Sequence, residues 1–170
     1  MSDDVPTDVL ATAFALVAER GFAALSLAEV ARRSGRTLAE AYAELPGRGA
    51  LLERLGERVD RAMAGIPPAE LAEMSPRERV FEALMRRLDA LDPYRSGLAA
   101  LRRDPAARLA LGCRALCAAD RTAARLVATV GIEAGARACV ARRGLALLYG
   151  RVFAVWLDDT SSGKAVTLAE

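Results

Sequence analysis

SLAEVARRSGRTLAEAYAELPGR, residues 26–48, is the stretch whose reading decides the fold. Ser26 and Glu29 stand three residues apart, as do Thr37 and Glu40, and each pair has the form of a capping box. In such a box the hydroxyl accepts a backbone N–H of the first turn and the carboxylate reaches back to the N–H of the cap. After Ser26, the residues Leu27, Val30 and Ala31 fall on one helical face, and Ser34-Gly35 ends the segment. After Thr37, the residues Leu38, Ala41, Tyr42 and Leu45 form a second inward stripe that stops at Pro46. Two short capped helices joined through Gly35-Arg36 match a helix-turn-helix unit.

Upstream, residues 8–20 form a longer helix with Leu10, Ala13, Phe14, Val17 and Ala18 inward; Thr7 caps it and Gly21 stops it. Downstream, Gly47-Arg48-Gly49 opens a fourth helix through Ala64, with Leu52, Leu55, Val59 and Met63 inward. Gly65-Ile66-Pro67-Pro68 then breaks the chain, giving an N-terminal domain of residues 1–64 and a second helical domain of residues 65–170. That second part starts with a short helix, 68–74. A third capping box, Ser75 with Glu78, begins an amphipathic helix bearing Val80, Phe81, Leu84, Met85, Leu88 and Leu91. Helices follow over 93–103, 106–118 and 122–130, with a break expected near Asp120, and a last one over 137–157. Residues 138–156 are apolar nearly all round, which predicts burial on more than one side; residues 158–163 are a polar stop, and 164–170 begin one more turn.

Composition supports an all-α chain. Of 170 residues 53% are hydrophobic but only 5% aromatic, so Ala, Leu and Val carry the packing. Three cysteines and no histidine argue for a reducing compartment and against both a disulfide framework and a zinc site; Cys113 and Cys117, one turn apart, read as small buried hydrophobes. Asp3 and Asp4 stand where a secretory signal would be basic and then apolar, and the longest apolar run falls short of the roughly 20 residues a spanning helix needs, so the expected compartment is the cytoplasm. With no histidine base, no glycine-rich phosphate loop and no nucleophile elbow, the sequence does not read as an enzyme, and no cofactor or metal is implied.

The order of elements from Ala11 to Asp60 resembles the N-terminal domain of TetR-family transcriptional regulators. The resemblance rests on Glu19-Arg20-Gly21, Val30-Ala31, Gly35, Tyr42, Pro46 and Ala50-Leu51. It implies an all-α homodimer with a reader domain and a divergent ligand domain. The last two long helices would pair with a second copy, here through Ala124, Val127, Val140, Leu147, Arg151 and Val155. The C-terminal half, especially residues 141–149 leading to Trp156-Leu157-Asp158-Asp159, is similar to the lipid-binding accessory family of ubiquinone biosynthesis. That family shares the fold, does not act through DNA and holds isoprenoid lipid. Its C-terminal amphipathic membrane helix has no expected counterpart here.

Both roles translate into residues. In the reader, Arg33, Arg36, Thr37, Leu38, Glu40, Tyr42, Glu44 and Arg48 are the candidate DNA contacts, with Arg36, Tyr42 and Arg48 on phosphates. Against DNA stands the charge: residues 1–60 hold seven arginines and ten carboxylates, net −3, whereas the remainder is +5. Phosphate neutralisation supplies most nucleic-acid affinity, so a DNA domain usually shows the opposite balance. The second helix also lacks Arg, Lys, Asn and Gln, the residues that read bases in bidentate fashion. In the second domain, Phe81, Leu84, Met85 and Leu101 with Leu111, Leu148, Phe153 and Trp156 are candidates to line an apolar or lipid pocket, or simply a core. The sequence therefore predicts a ligand-responsive regulator with weakened or atypical DNA contacts. A lipid or isoprenoid carrier on the same fold, and a dimeric scaffold for a protein partner, are the alternatives.

Overall fold

The structure is a computed structural model that describes residues 8–129, 131 and 135–159. Among these residues every regular element is a helix: α1 Val9–Arg20, α2 Leu27–Ser34, α3 Leu38–Glu44, α4 Leu51–Ala64, α5 Pro68–Glu73, α6 Pro76–Leu91, α7 Arg95–Arg103, α8 Pro105–Thr129 and α9 Ala136–Asp158. Single 3-10 turns at Phe22–Ala24, Arg48–Ala50 and Asp92–Tyr94 join some of them. The expected end of a helix at Val130, the Thr7 cap and the tail from residue 160 lie outside the described residues.

The chain forms two compact units. The first comprises Met1–Glu57 with Asp92–Ala115, and the second Arg58–Leu91 with Leu116–Glu170. Helix α4 does end at Ala64, as the Gly65 break predicts, but the first unit also takes in α7. The reason is a close approach at Gly97: a Cβ there would lie 2.5 Å from the Phe14 carbonyl oxygen, so only glycine lets α7 settle on α1. Tyr94 completes that contact with an edge-on ring 5.3 Å from Phe14.

In the first unit α1 buries Val9, Leu10, Ala13, Phe14, Leu16 and Val17. Its cap is Asp8, whose Oδ1 accepts from the N–H groups of Leu10 (2.9 Å) and Ala11 (3.2 Å). Helix α2 packs through Val30 and Ala31, with the Ser34 hydroxyl donating to the Val30 carbonyl at 2.8 Å. It ends at Gly35 in the left-handed region (φ +65°), and the Arg36 N–H closes the turn on the Ala31 carbonyl at 3.0 Å.

The second unit has its own core of Met63, Ile66, Ala83, Leu84, Leu126 and Tyr149, with Phe153 packed against it. Trp156 is fully buried, 5.5 Å from the Phe153 ring. Within this core lies a charged cluster. The Arg87 guanidinium, 3% exposed, donates to Asp60 Oδ1 and, through Nε, to the Tyr149 hydroxyl at 3.1 Å; Asp60 Oδ2 also meets Arg125 Nε at 3.1 Å. One carboxylate thus joins α4, α6 and α8, and Tyr149 adds α9. Arg86 ties down the turn after α4, donating to the Gly65 carbonyl (3.2 Å) and to Glu82 (2.6 Å) and Glu70 (3.3 Å).

Three expectations are corrected. Helix α8 runs without the break expected near Asp120. Asp120 points outward to Arg142, whose Nε is 2.7 Å from its Oδ1, and buried Thr122 donates its hydroxyl to the Ala118 carbonyl one turn back, a bond made inside a continuing helix. Cys113, Cys117 and Cys139 are exposed, not buried, on helix sides that no described residue covers. Helix α9 is buried on one side only, through Tyr149, Val152, Trp156 and Leu157, and leaves Val140 72% and Leu147 78% exposed.

Candidate functional site

The turn between α2 and α3 is built as the sequence predicts at its second box and differently at its first. Thr37 and Glu40 form the complete box: the Glu40 N–H donates to the Thr37 hydroxyl oxygen at 3.2 Å, and the Thr37 N–H donates to Glu40 Oε2 at 2.8 Å. The Thr37 hydroxyl also donates to that carboxylate at 2.8 Å. These bonds, with Arg36 adding its charge, hold the Glu40 carboxyl below its usual range. Ser26, although it has the extended backbone of a cap, makes no side-chain capping bond. Its partner Glu29 is taken by arginines instead. Arg32 grips it with Nη2 at 2.7 Å and Nε at 3.0 Å, Arg33 Nε sits at 3.2 Å, and Arg20 approaches to 3.6 Å. Chiefly through the Arg32 bonds, the Glu29 pKa falls from 4.5 to about 2.

The inward stripe of α3 is narrower than the sequence suggests. Ala41 and Leu45 are buried at 0% and 1% exposure, but Leu38 and Tyr42, expected inward, stand 54% and 58% exposed. A seven-residue helix resting on one alanine and its C-terminal leucine leaves both larger side chains in water. At about 100° per residue, Leu38, Tyr42, Ala39 and Ala43 make one continuous apolar strip, with Glu40 and Glu44 together on the adjoining side. Opposite the buried pair Ala41 and Leu45 stand Ala43 and Ala39, with Glu40 next to them, so one acid shares the outer side and Glu44 lies beside it.

The candidate cations differ in how free they are. Arg33 is bound to Glu19 at 2.8 Å as well as to Glu29. Arg36, just before α3, has Glu40 no closer than 3.9 Å. Arg48, just after it, lies over the Phe22 ring at 5.8 Å and donates to the Ala23 carbonyl at 3.4 Å. Thr37 is engaged in its box, and Glu44 is exposed. Arg36, Leu38, Tyr42 and Arg48 are all exposed, Leu38 and Tyr42 on α3 and the two arginines before and after it in the chain.

The residues expected to line a ligand pocket are divided between the two units. Leu84, Phe153 and Trp156 belong to the packing of the second unit, Met85 is half-buried, and Phe81 and Leu148 are 52% and 39% exposed. Leu101 and Leu111, both buried, belong to the first unit. An open concavity of about 410 Å³ lies instead in the first unit, lined by Pro46, Gly49, Glu53, Arg54, Glu57 and Arg114. Its charges pair with one another, Arg54 with Glu57 at 3.0 Å and Arg114 with Glu53 at 3.6 Å. Of the residues assigned to a dimer face, Val140, Leu147 and Arg151 are exposed, Ala124 and Val155 half-buried, and Val127 already covered within the chain at 7% exposure. Among the described residues no set of three metal-ligating side chains gathers, and no helix is long and apolar enough to cross a membrane.

What the sequence reasoning missed is the cluster around Asp60 and Arg87. The signal was present: both sit on the inward sides of their helices, Asp60 beside Val59 and Arg87 beside Leu88, where unpaired charge would be costly.

The sequence matches no protein-family model and no curated protein. Among solved structures it is similar to the TetR transcriptional regulator from Nitrosomonas europaea, at TM-score 0.70 and 20% identity over 95% of this chain and 90% of that one. A member of the TetR transcriptional regulator family from Streptomyces coelicolor A3 aligns at TM-score 0.46 and 21% identity, over 99% of this chain and 85% of that one. The first of these alignments fixes the architecture: from the helix-turn-helix to the long final helix, this chain has the fold of a TetR transcriptional regulator.

Proposed function

We propose that this protein is a ligand-responsive transcriptional regulator that acts by binding DNA as a cytoplasmic homodimer, without catalysis, and whose DNA contacts are atypical. The observation that carries the reading is α3. It is a box-capped helix fixed to the unit by Ala41 and Leu45, its outer side free and Arg36 and Arg48 at its two ends. The reader domain in this proposal is residues 1–64, and the dimer and ligand domain residues 65–170. Val140, Leu147 and Arg151 on the uncovered side of α9 serve as contacts to the second copy.

The test is a fluorescence-anisotropy titration of DNA upstream of the protein's own gene at about 0.1 M salt, repeated across a salt series. Log affinity should fall linearly with log salt. Glu44→Lys should tighten binding severalfold and steepen that slope by about one, because it turns an acid beside the reading face into a phosphate partner. Glu40 is the wrong residue to reverse, since its carboxylate closes the capping box and its loss would loosen α3 itself. Salt-insensitive binding, or none to any upstream fragment, would remove the proposal. An apolar molecule released on solvent extraction of such a non-binding protein would then favour the lipid or isoprenoid carrier.

A further inference from the structure

We infer that α3 reads thymine methyl groups through apolar contact, so that the preferred DNA is A·T-containing in the major groove. This rests on the regulator reading above. A helix that enters the major groove has two means of distinguishing bases: hydrogen bonds to the donor and acceptor edges, or apolar contact with the C5 methyl of thymine. The bidentate contacts of the first kind are not open to α3, which carries no Arg, Lys, Asn or Gln from Leu38 to Glu44. Its two carboxylates, which could accept from cytosine, lie to one side, and Glu40 is turned back onto the Thr37 N–H and hydroxyl.

The second means is what the exposed strip supplies. Leu38 at 54% and Tyr42 at 58% exposure stand one turn apart, with Ala39 and Ala43 beside them offering methyl groups on a low surface. Large apolar groups raised from a short helix in water gain from being covered, and thymine methyls are the apolar surface a major groove presents. Charge fits the same occupant. Arg36 precedes the strip and Arg48 follows it, and among the described residues neither has a carboxylate closer than 3.9 Å, which leaves both as partners for phosphate. Position and orientation then come from the two arginines, and sequence preference from Leu38 and its neighbours.

The experiment selects binding sites from a random-core duplex library, then compares each selected duplex with the same duplex made with uracil in place of thymine. Uracil keeps every hydrogen-bonding group and lacks only the methyl. Selected sites should be enriched in A·T pairs, and uracil should weaken binding about fourfold for each contacted methyl, the equivalent of one buried methylene. Leu38→Ala should bind the thymine and uracil duplexes almost equally. Because Leu38 is over half exposed, that variant keeps its fold, which its melting curve verifies. Leu38→Gln is the second variant, and should shift the selected sites toward adenine contacts made by hydrogen bonds. Selected duplexes that bind equally with thymine or uracil would overturn the inference and leave the regulator standing. So would a uracil penalty that Leu38→Ala and Leu38→Gln both retain. Failure to enrich any duplex would overturn the regulator reading, and this inference with it.

Discussion

Replacing Asp60 should destabilise the second unit more than replacing the arginine it neutralises. Asp60 is 5% exposed and answers two guanidinium groups, Arg87 at one oxygen and Arg125 at the other. Arg87, 3% exposed, has Asp60 as its carboxylate and the Tyr149 hydroxyl as its further partner. Removing the acid strands a buried cation, and breaking a buried pair in this way costs about 3–5 kcal/mol. Arg125 loses little, because its side chain is 49% exposed and can rehydrate. Removing Arg87 leaves Asp60 with Arg125 still 3.1 Å away, so Arg87→Met should cost less, about 2 kcal/mol. Asp60→Leu combined with Arg87→Met should recover most of the loss, since a packed apolar pair commonly replaces a buried ion pair at little net cost. Urea unfolding followed by the fluorescence of Trp156 reads the correct unit, as this is the chain's one tryptophan and is fully buried there. For a chain of this length 4 kcal/mol corresponds to a fall of roughly 8–16 °C in Tm. An Asp60→Leu loss below about 1 kcal/mol, or an Arg87→Met loss exceeding it, would refute the assignment of charge compensation to Asp60.

Two further outcomes test other joints. Gly97→Ala should cost at least about 2 kcal/mol, because the new methyl meets the Phe14 carbonyl at 2.5 Å, whereas Gly112→Ala, with no atom within 4 Å, should stabilise α8 by about 0.5–1 kcal/mol; paired melts of the two variants check the contrast. Glu29 titrates near 2 instead of 4.5, so its arginine contacts stabilise the folded chain above about pH 4.5, and that contribution disappears as pH falls toward 2. Glu29→Gln should therefore flatten the acid side of the stability profile in that window, and carbon-13 NMR of the Glu29 carboxyl should show the low midpoint directly. An ordinary midpoint would mean that Arg32 does not hold it.

The helical order was legible in the sequence because it rests on local chemistry. Gly35 marks the end of α2, Thr37 and Glu40 mark the start of α3, and Gly65 marks the end of α4; each acts within a turn of itself. What failed depended on competition. Ser26 has the right spacing for a box, but three arginines from α1 and α2 outbid its backbone for Glu29, and Arg20 comes from beyond the local stretch. The inward stripe of α3 assigned four residues to a helix with room to bury two, because periodicity gives the direction of a side chain and not how much neighbour is there to cover it. The junction of α1 with α7 was not visible for a related reason. Gly97 reads as an indifferent helix residue until Phe14, far away in the chain, is seen against it.

The same distinction bears on the charge argument against DNA. Counting residues 1–60 gives a net −3, but a count treats every carboxylate as facing a ligand. In the structure Glu29 is enclosed by three arginines, Glu19 by Arg33, and Glu40 by its own helix start. Of the acids on α3, Glu40 and Glu44 are both exposed, and among the described residues neither has a cation closer than the 3.9 Å between Glu40 and Arg36, so both keep their charge beside Arg36 and Arg48. Salt bridges that neutralise acids also consume cations, so the unit has few charges to spend on a polyanion. Its affinity should therefore be modest and carried more by shape and apolar contact than by counterion release. A shallow salt slope together with a marked thymine preference is the combination this arrangement requires; a steep slope with no base preference would mean that other arginines, away from α3, do the binding.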